Sequence, residues 1–260
     1  MENYKTSCFP TWCPGCANFA VMTALQNAFL ALNLKPQEII CSYDIGCGAN
    51  MGNFLKTSAF LGLHGRSVPL AAGAKMANPD LTVLAIGGDG GQLGEGGNHL
   101  IHAARRNDDI TVIILNNFFF SLTTGQASPT TPLGIVSKTT PEGSGVLPLD
   151  IVNLSLVAGA SFVARTFPGK AEHFTGVITK AIKHKGFSVI EVISPCVTFS
   201  KEYNFAYYLQ RVKEVKTSCE TADEALKCAR MAKDNVPIGI FYQLEREVFH
   251  KLMLKQVGSP

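Results

Sequence analysis

The 260-residue sequence has little charge and no pattern that would direct the chain into or across a membrane. Charged residues make up 17% and hydrophobic residues 46%, which is typical of a well-packed globular protein and excludes a disordered one. No uninterrupted apolar run reaches the roughly 20 residues of a membrane-spanning helix. The first residues lack the basic, apolar and small-residue order of a signal peptide, so we expect a cytoplasmic location.

Nucleic acid is an equally poor partner for this composition. The formal net charge is only +3, and no dense stripe of Lys and Arg with interleaved aromatic residues is present. The sequence has eight cysteines. In a cytoplasmic protein such cysteines indicate metal, cluster or catalytic roles rather than a disulfide framework.

Apolar runs alternate with helical segments along most of the chain. Strands are predicted over residues 38–43, 81–86, 111–115, 160–166 and 188–193, and helices over residues 17–32, 68–77, 97–106, 149–158, 170–183 and 221–231. The runs at 81–86 and 111–115 are apolar throughout, as in parallel strands that are covered on both faces. We therefore predict an α/β fold with a mostly parallel sheet and helices on both faces.

Two stretches do not follow this alternation. Residues 118–147 are rich in Thr, Gly, Ser and Pro, and a loop of this length is typical of a functional or partner-facing segment. Residues 237–242 are predicted to form a last edge strand or an extended arm. Between these stretches, Thr221 and Glu224 have capping-box spacing at the start of the last predicted helix.

A glycine turn with an acidic residue, Gly88-Asp89-Gly90, follows the strand at 81–86. Glycines at a strand end let the backbone turn sharply and present N–H groups to a phosphate. The Asp89 carboxylate would repel a bare phosphate, so a divalent cation such as Mg²⁺ is expected between the two. A second oxygen ligand should come from the neighbouring strand, which ends at Asn116 and Asn117. The pattern predicts a metal-bridged diphosphate.

The pair Cys13 and Cys16 has three interpretations. A thioredoxin-like redox pair needs a preceding strand, for which twelve residues leave little room. A zinc site would favour a second closely spaced pair, and none is present. An iron–sulfur cluster needs four thiolates, of which two can be distant. Cys47 and Cys196 follow predicted strands, but spacing alone does not select them from the remaining six cysteines.

Ten motifs, taken in order over residues 11–200, resemble the β subunit of 2-oxoacid:ferredoxin oxidoreductases. They are Trp12-Cys13-Pro14-Gly15-Cys16, Asp44-Ile45-Gly46-Cys47, His64-Gly65-Arg66, residues 87–91, Gly97-Asn98-His99, residues 102–107, Asn116-Asn117, Thr124-Gly125-Gln126, Ser128-Pro129-Thr130-Thr131 and Ser194-Pro195-Cys196. Several of these motifs would be weak alone, and their succession is what carries the resemblance.

The resemblance implies a thiamine-diphosphate-binding fold and a set of ligands. Mg²⁺ would be bound by the Asp89 and Asn117 side chains and the Phe119 carbonyl, and a 4Fe-4S cluster by Cys13, Cys16, Cys47 and Cys196. The implied cofactor-binding residues are Ile45, Gly46, Cys47, His64, Gly65, Gly88, Asp89, Gly90, Gly91, Asn117, Phe119, Leu122 and Thr123. No side chain is required as a nucleophile, and His64 is the candidate for a catalytic contribution.

The implied reaction is oxidative decarboxylation of a 2-oxoacid, 2-oxoglutarate or pyruvate, to acyl-CoA and CO₂. Coenzyme A is the co-substrate, and electrons pass through the cluster to ferredoxin. We expect residues 1–200 to form the cofactor domain and residues 201–260 an extension that packs on this domain or on a partner. The chain has little room for a pyrimidine-binding domain, so we expect a heterodimer with an α subunit that carries one. Further γ and δ subunits are candidates.

The sequence departs from the family at three places, the first of which is Ala17 in place of a usual glycine. Gly91 stands where the family usually has a second acidic residue, and residues 118–124 differ from the usual Tyr-Gly and Gly-Gly pattern. Two alternatives therefore stay open. One is a subunit of a non-oxidative thiamine-diphosphate decarboxylase, which needs no cluster. The other is a non-catalytic subunit that binds zinc or an iron–sulfur cluster.

Overall fold

The structure is a computed structural model, and it describes residues 4–216, 218–232 and 234–257. An eight-stranded sheet forms the centre of this part of the chain. The strands are β1 (Ile39–Tyr43), β2 (Ser58–Leu61), β3 (Thr82–Gly88), β4 (Thr111–Asn116), β5 (Phe119–Phe120), β6 (Gln126–Ala127), β7 (Phe162–Thr166), β8 (Ser188–Ile193), β9 (Val212–Glu214) and β10 (Val236–Gln243). Strands β5 and β6 pair only with each other, as an antiparallel hairpin within the long predicted loop.

Helices connect most of the strands. They are α1 (Asn18–Ala31), α2 (Ser67–Ala77), α3 (Gly97–Arg106), α4 (Ile151–Val157), α5 (Ala171–Lys183), α6 (Phe205–Arg211), α7 (Ala222–Cys228) and α8 (Phe249–Val257). Short 3₁₀-helices span Pro36–Glu38 and Cys47–Asn53, and a π-helix spans Gly90–Glu95. None of the helices within the described ranges is both long and apolar enough to cross a bilayer.

The strand order is β2-β1-β3-β4-β8-β7-β10-β9, and every neighbouring pair is parallel except β7 and β10. Strand β4 separates two apolar cores, because successive side chains of a strand point to opposite faces. Ile113 and Leu115 pack with residues of α1 and α5, whereas Val112 and Ile114 pack with residues of α2, α3 and α4. The predicted fold, a mostly parallel sheet covered by helices on both faces, is confirmed.

Helix α1 shows how the sequence produces one of these layers. Val21, Leu25 and Phe29 recur every four residues and are fully buried. Burial of each such side chain stabilises the fold by about 1.5–3 kcal/mol. Helix α5 packs against the same face of the sheet.

In the C-terminal part the structure corrects the predicted edge strand, and one predicted helix is shorter than expected. Strand β10 is not an edge strand or a free arm, since it lies between β7 and β9 and residues 236–239 are buried. The edge is formed by the three-residue β9, which is too short to leave a sequence pattern. The predicted capping box is present, with Thr221 Oγ1 accepting from the Glu224 N–H at 3.2 Å, but helix α7 ends at Cys228 rather than residue 231.

Candidate active site

Loops that follow β1, β3 and β4 surround one cavity at the carboxyl edge of the sheet. The predicted cofactor-binding residues on its wall are Ile45, Gly46, Cys47, His64, Gly88, Gly90, Gly91, Asn117, Phe119, Leu122 and Thr123. The other two, Gly65 and Asp89, are buried and do not line it. The wall also includes five residues that were not among the predicted cofactor-binding residues, namely Asn18, Gly48, Leu115, Phe120 and Ser121.

Asp89 is fully buried directly after β3. Its Oδ2 accepts hydrogen bonds from Ser128 Oγ at 2.5 Å and Thr130 Oγ1 at 2.6 Å, and its Oδ1 accepts one from the Asn117 N–H at 3.2 Å. Burial raises the pKa of this carboxyl, and the hydrogen bonds act in the opposite direction. Among the described residues no Lys or Arg pairs with Asp89. A divalent cation fits this environment, because it would compensate a buried charge that only neutral donors meet.

The glycines around Asp89 are required for steric reasons. A Cβ added at Gly90 would lie 2.3 Å from Phe120 Cε1, and one at Gly91 would lie 1.8 Å from Asp44 Oδ2. At Gly88 no heavy atom lies within 4 Å of the added Cβ, so the backbone is open to a ligand there. The π-helix begins at this turn, and π-helical turns are frequent at functional sites.

The two asparagines after β4 have different positions. Asn117 lines the cavity, and its Oδ1 accepts hydrogen bonds from the Phe119 N–H at 3.0 Å and from Ser121 Oγ at 3.2 Å. Phe118, the next residue along the chain, has a φ of +68°, an uncommon value for a bulky residue, and this turn brings Phe119 to the cavity wall. Asn116 points into the protein and does not line the cavity.

A buried chain of polar contacts runs from the interior to Asp89. Arg165 Nε donates to Glu191 Oε2 at 2.6 Å, and Glu191 Oε1 accepts from Asn116 Nδ2 at 2.7 Å. The Thr130 hydroxyl lies 2.8 Å from Asn116 Oδ1 and 2.6 Å from Asp89 Oδ2, so its single hydrogen is shared between these two acceptors. Every member is buried. The ion pair inside the sheet therefore helps to fix the carboxylate at its edge.

The structure brings Cys13, Cys16, Cys47 and Cys196 together. Burial, with smaller contributions from the charges of the other three cysteines, raises the pKa of the Cys16 thiol to about 11. Burial also raises the pKa of Cys47, as do Cys196 and Cys13. The Trp12 indole N–H donates to the Cys47 carbonyl at 2.7 Å, which ties the N-terminal segment to the cavity wall.

The other four cysteines lie elsewhere. Cys41 is buried in β1, Cys8 is exposed, and the Cys219 and Cys228 sulfur atoms are 3.0 Å apart near the C-terminus. Within the described ranges no three His, Cys, Asp or Glu side chains converge closely enough to hold a single metal ion. A polynuclear cluster holds its thiolates farther apart than one ion does, so this finding concerns a single ion and not a cluster.

His64 is held at the rim of the cavity. Its Nδ1 pairs with Glu95 Oε2 at 2.7 Å, and Arg66 donates to the Glu95 carbonyl at 2.9 Å. The neighbouring Gly65 has a φ of +72°, and an added Cβ there would lie 2.5 Å from the Gly96 nitrogen. Only glycine fits this close approach between the two loops.

Comparison with families of known proteins agrees with this geometry. The family described as thiamine pyrophosphate enzyme, C-terminal TPP binding domain, matches residues 44–192, more than half of the chain. The chain therefore belongs to the thiamine pyrophosphate enzymes. A second family, the C-terminal part of the pyruvate ferredoxin oxidoreductase beta subunit, matches residues 196–256.

Individual relatives indicate which family of thiamine pyrophosphate enzymes the chain belongs to. The chain is 40% identical over 249 residues to the 2-oxoacid:ferredoxin oxidoreductase subunit beta of Saccharolobus solfataricus, covering 90% of this chain and 82% of the relative. It is 35% identical over 252 residues to the 2-oxoglutarate synthase subunit KorB of Methanocaldococcus jannaschii, covering 94% and 93%. The chain belongs to the β subunits of the 2-oxoacid:ferredoxin oxidoreductase family, as its motifs predict.

A solved structure extends the match to nearly the whole fold. It is a 2-oxoglutarate:ferredoxin oxidoreductase from Magnetococcus marinus with 2-oxoglutarate, coenzyme A and succinyl-CoA bound. The TM-score is 0.95 at 31% sequence identity, with 98% of this chain and 89% of that chain covered. The likeness includes the C-terminal segment, for which the motifs provided little guidance.

Proposed function

We propose that the cavity binds the diphosphate end of thiamine diphosphate together with Mg²⁺. The Asp89 and Asn117 side chains and the Phe119 carbonyl would hold the metal, and the Gly88–Gly91 turn would leave room for the phosphates. The observation that carries this proposal is the buried Asp89 carboxylate beside a glycine with open space, at the end of parallel strands. When bound, thiamine diphosphate supplies the nucleophilic carbon for decarboxylation of a 2-oxoacid.

We also propose that Cys13, Cys16, Cys47 and Cys196 hold a 4Fe-4S cluster, which supplies single-electron transfer when bound. The support is their proximity, since the charges of Cys13, Cys47 and Cys196 raise the pKa of Cys16, and those of Cys13 and Cys196 raise the pKa of Cys47. Cys47 belongs both to this set and to the cavity wall, so cluster and cofactor would be neighbours. A zinc ion is disfavoured because the thiols do not converge as a single ion requires.

The site is proposed to be completed by an α subunit that carries the pyrimidine-binding domain. The cavity measures about 100 Å³, whereas small-molecule pockets usually measure ~300–1,000 Å³. Exposed apolar side chains in the loop after β6, among them Val146 and Leu147, are suited to a protein contact. The relatives' names as subunits agree with an obligate partner. Additional γ and δ subunits remain candidates.

The proposed reaction is oxidative decarboxylation of 2-oxoglutarate or pyruvate to the acyl-CoA and CO₂, with coenzyme A as co-substrate and ferredoxin as electron acceptor. The names of relatives support both the general and the 2-oxoglutarate form. In this function the described residues bind and orient the cofactors. His64 is the candidate for a proton transfer because it faces the cavity and its Nδ1 is fixed by Glu95. A cytoplasmic location and the division at residue 200 stay predictions.

One set of measurements tests the cofactor, the cluster and the reaction. The chain would be co-expressed anaerobically with its α partner, and iron, acid-labile sulfide, Mg–thiamine diphosphate affinity and reduction of a viologen by a panel of 2-oxoacids would be measured. We expect about four iron atoms per chain and coenzyme A-dependent turnover. Cys47→Ser should lose the iron, while Cys41→Ser, a buried cysteine outside the set, should keep it. Cofactor binding without oxidation would favour the non-oxidative decarboxylase. Zinc in place of iron, or no cofactor binding, would favour the non-catalytic subunit.

A further inference from the structure

The carboxylate of Asp44 is buried where three segments of the cavity wall meet. Asp44 follows β1 and is 1% exposed. Its Oδ1 accepts hydrogen bonds from the N–H of Ile45 and from the N–H of Gly65, each at 2.7 Å. The backbone N–H of Asp44 donates to the Ile86 carbonyl at 2.9 Å, which anchors the residue to β3.

The same carboxylate occupies the space beside the glycine turn. A Cβ at Gly91 would lie 1.8 Å from Asp44 Oδ2 and 2.7 Å from its Cγ. A Cβ at Gly87 would lie 2.7 Å from the Asp44 Cβ. Because two backbone hydrogen bonds hold Asp44 Oδ1, the side chain cannot turn away without losing them. A side chain at position 91 and a carboxylate at position 44 are therefore mutually exclusive.

The environment of Asp44 is unusual for a purely structural residue. Oδ2 is buried and has no hydrogen-bond partner among the described residues. Buried unpaired polar atoms are uncommon and often mark functional sites. Burial raises the pKa of the carboxyl, and the charge of Glu95 adds to the increase. The N–H groups of Gly65 and Ile45 and the charge of His64 act in the opposite direction. Asp44 does not line the cavity itself, so any role in cofactor binding is indirect.

We propose that Asp44 is a positioning residue for the cofactor, which fixes the spacing between the 45–47 loop, the 64–65 loop and the 90–91 turn. All three segments contribute to the cavity wall. With glycine at 44, an aspartate at 91 would place its side chain in the volume that Asp44 leaves. This inference rests on the proposed binding of Mg–thiamine diphosphate.

The test is a swap in the assembled complex, with Asp44→Gly, Gly91→Asp and the double variant. We expect each single variant to lose about 10–100-fold in Mg–thiamine diphosphate affinity, as is typical when a residue that orients the ligands is removed. The double variant should return to within about 3-fold of the parent by the same argument. Asp44→Asn should also bind like the parent, because an amide keeps the oxygen that accepts from Gly65.

A second readout is independent of the cofactor. In the cofactor-free complex the Ile45 and Gly65 amides should exchange hydrogen faster in Asp44→Gly and recover in the double variant. Asp109→Gly is the matched control, since Asp109 is another buried carboxylate that accepts a glycine N–H, from Gly186 at 3.0 Å, and does not line the cavity. It should lower the melting temperature and leave cofactor affinity unchanged.

The outcomes distinguish a failure of the proposed function from a failure of the role proposed for Asp44. If the parent complex fails to bind Mg–thiamine diphosphate, the proposed function is wrong and this inference falls with it. If the parent binds but Asp44→Gly binds equally well, or the double variant is no better than the weaker single variant, only the role of Asp44 is wrong. A melting temperature lowered in parallel with that of Asp109→Gly, at unchanged affinity, would assign Asp44 a structural role alone.

Discussion

Replacing Glu191 by glutamine should break the buried polar chain that ends on Asp89. Glu191 is 1% exposed and accepts from Arg165 Nε at 2.6 Å through one oxygen and from Asn116 Nδ2 at 2.7 Å through the other. The two donors meet different oxygens of Glu191, so in a glutamine one of them would face the NH₂ group instead of an acceptor. The substitution preserves the shape of the side chain and removes its charge.

The expected cost follows from the surroundings of Arg165, which is fully buried. Removing one partner of a buried ion pair costs about 3–5 kcal/mol because the other charge stays unpaired. Arg165 would keep Asp150 Oδ1 at 3.7 Å and the Phe241 ring at 5.5 Å, which places the expected loss near the lower end, about 3 kcal/mol. For a domain of this size, that loss lowers the melting temperature by roughly 6–12 °C.

The assay is chemical denaturation of the full chain followed by circular dichroism, with Glu142→Gln as the control. Glu142 is exposed in the loop after β6, and its substitution should change the free energy of unfolding by less than about 0.5 kcal/mol. A double variant, Arg165→Met with Glu191→Leu, should recover part of the loss, since it removes both charges of the buried pair but leaves Asn116 Nδ2 without its acceptor. A Glu191→Gln variant within about 1 kcal/mol of the parent would refute the reasoning.

Four further predictions concern the site and the stability of the fold. Gly65→Ala should lower the free energy of unfolding by about 1–3 kcal/mol because φ is +72° and a backbone nitrogen would lie 2.5 Å from the added Cβ. In the same denaturation assay Gly73→Ala in α2 should raise it by about 0.5–1 kcal/mol, since its added Cβ meets no atom within 4 Å. Thr130→Val removes a donor to Asp89 and should weaken Mg–thiamine diphosphate binding about 10–100-fold by calorimetry; unchanged affinity would argue against that contact. Burial lowers the pKa of His184 below its ordinary 6.5, so the folded state binds fewer protons than the unfolded state as pH falls below about 6.5. Stability should therefore decrease from pH 7.5 to 5.5, and His184→Leu should make that decrease smaller; an identical decrease in both proteins would contradict the assignment.

Local signals in the sequence predict the central part of the fold. The largely apolar β3, β4 and β8 are covered on both faces, and glycine, asparagine or serine stands at the end of each strand or directly after it. Because neighbouring strands here are parallel, their carboxyl ends meet at one edge, and this is why Gly88-Asp89-Gly90 and Asn116-Asn117 come together. Strand β2 left no such signal because all its residues are exposed. The family and the fold class follow from these local patterns and from motif order, and most of the predicted cofactor-binding residues lie on the cavity wall.

Only the tertiary structure decided which residues act together across long distances in the sequence. Ser128 and Thr130 reach Asp89 from 39 and 41 residues away. The interior position of β10 depends on pairing with β7 and β9, which its own sequence does not specify. The exclusion between Asp44 and Gly91 likewise arises from close packing of two loops. Side-chain periodicity reports which face of an element is buried, whereas the identity of the partner depends on how distant segments pack.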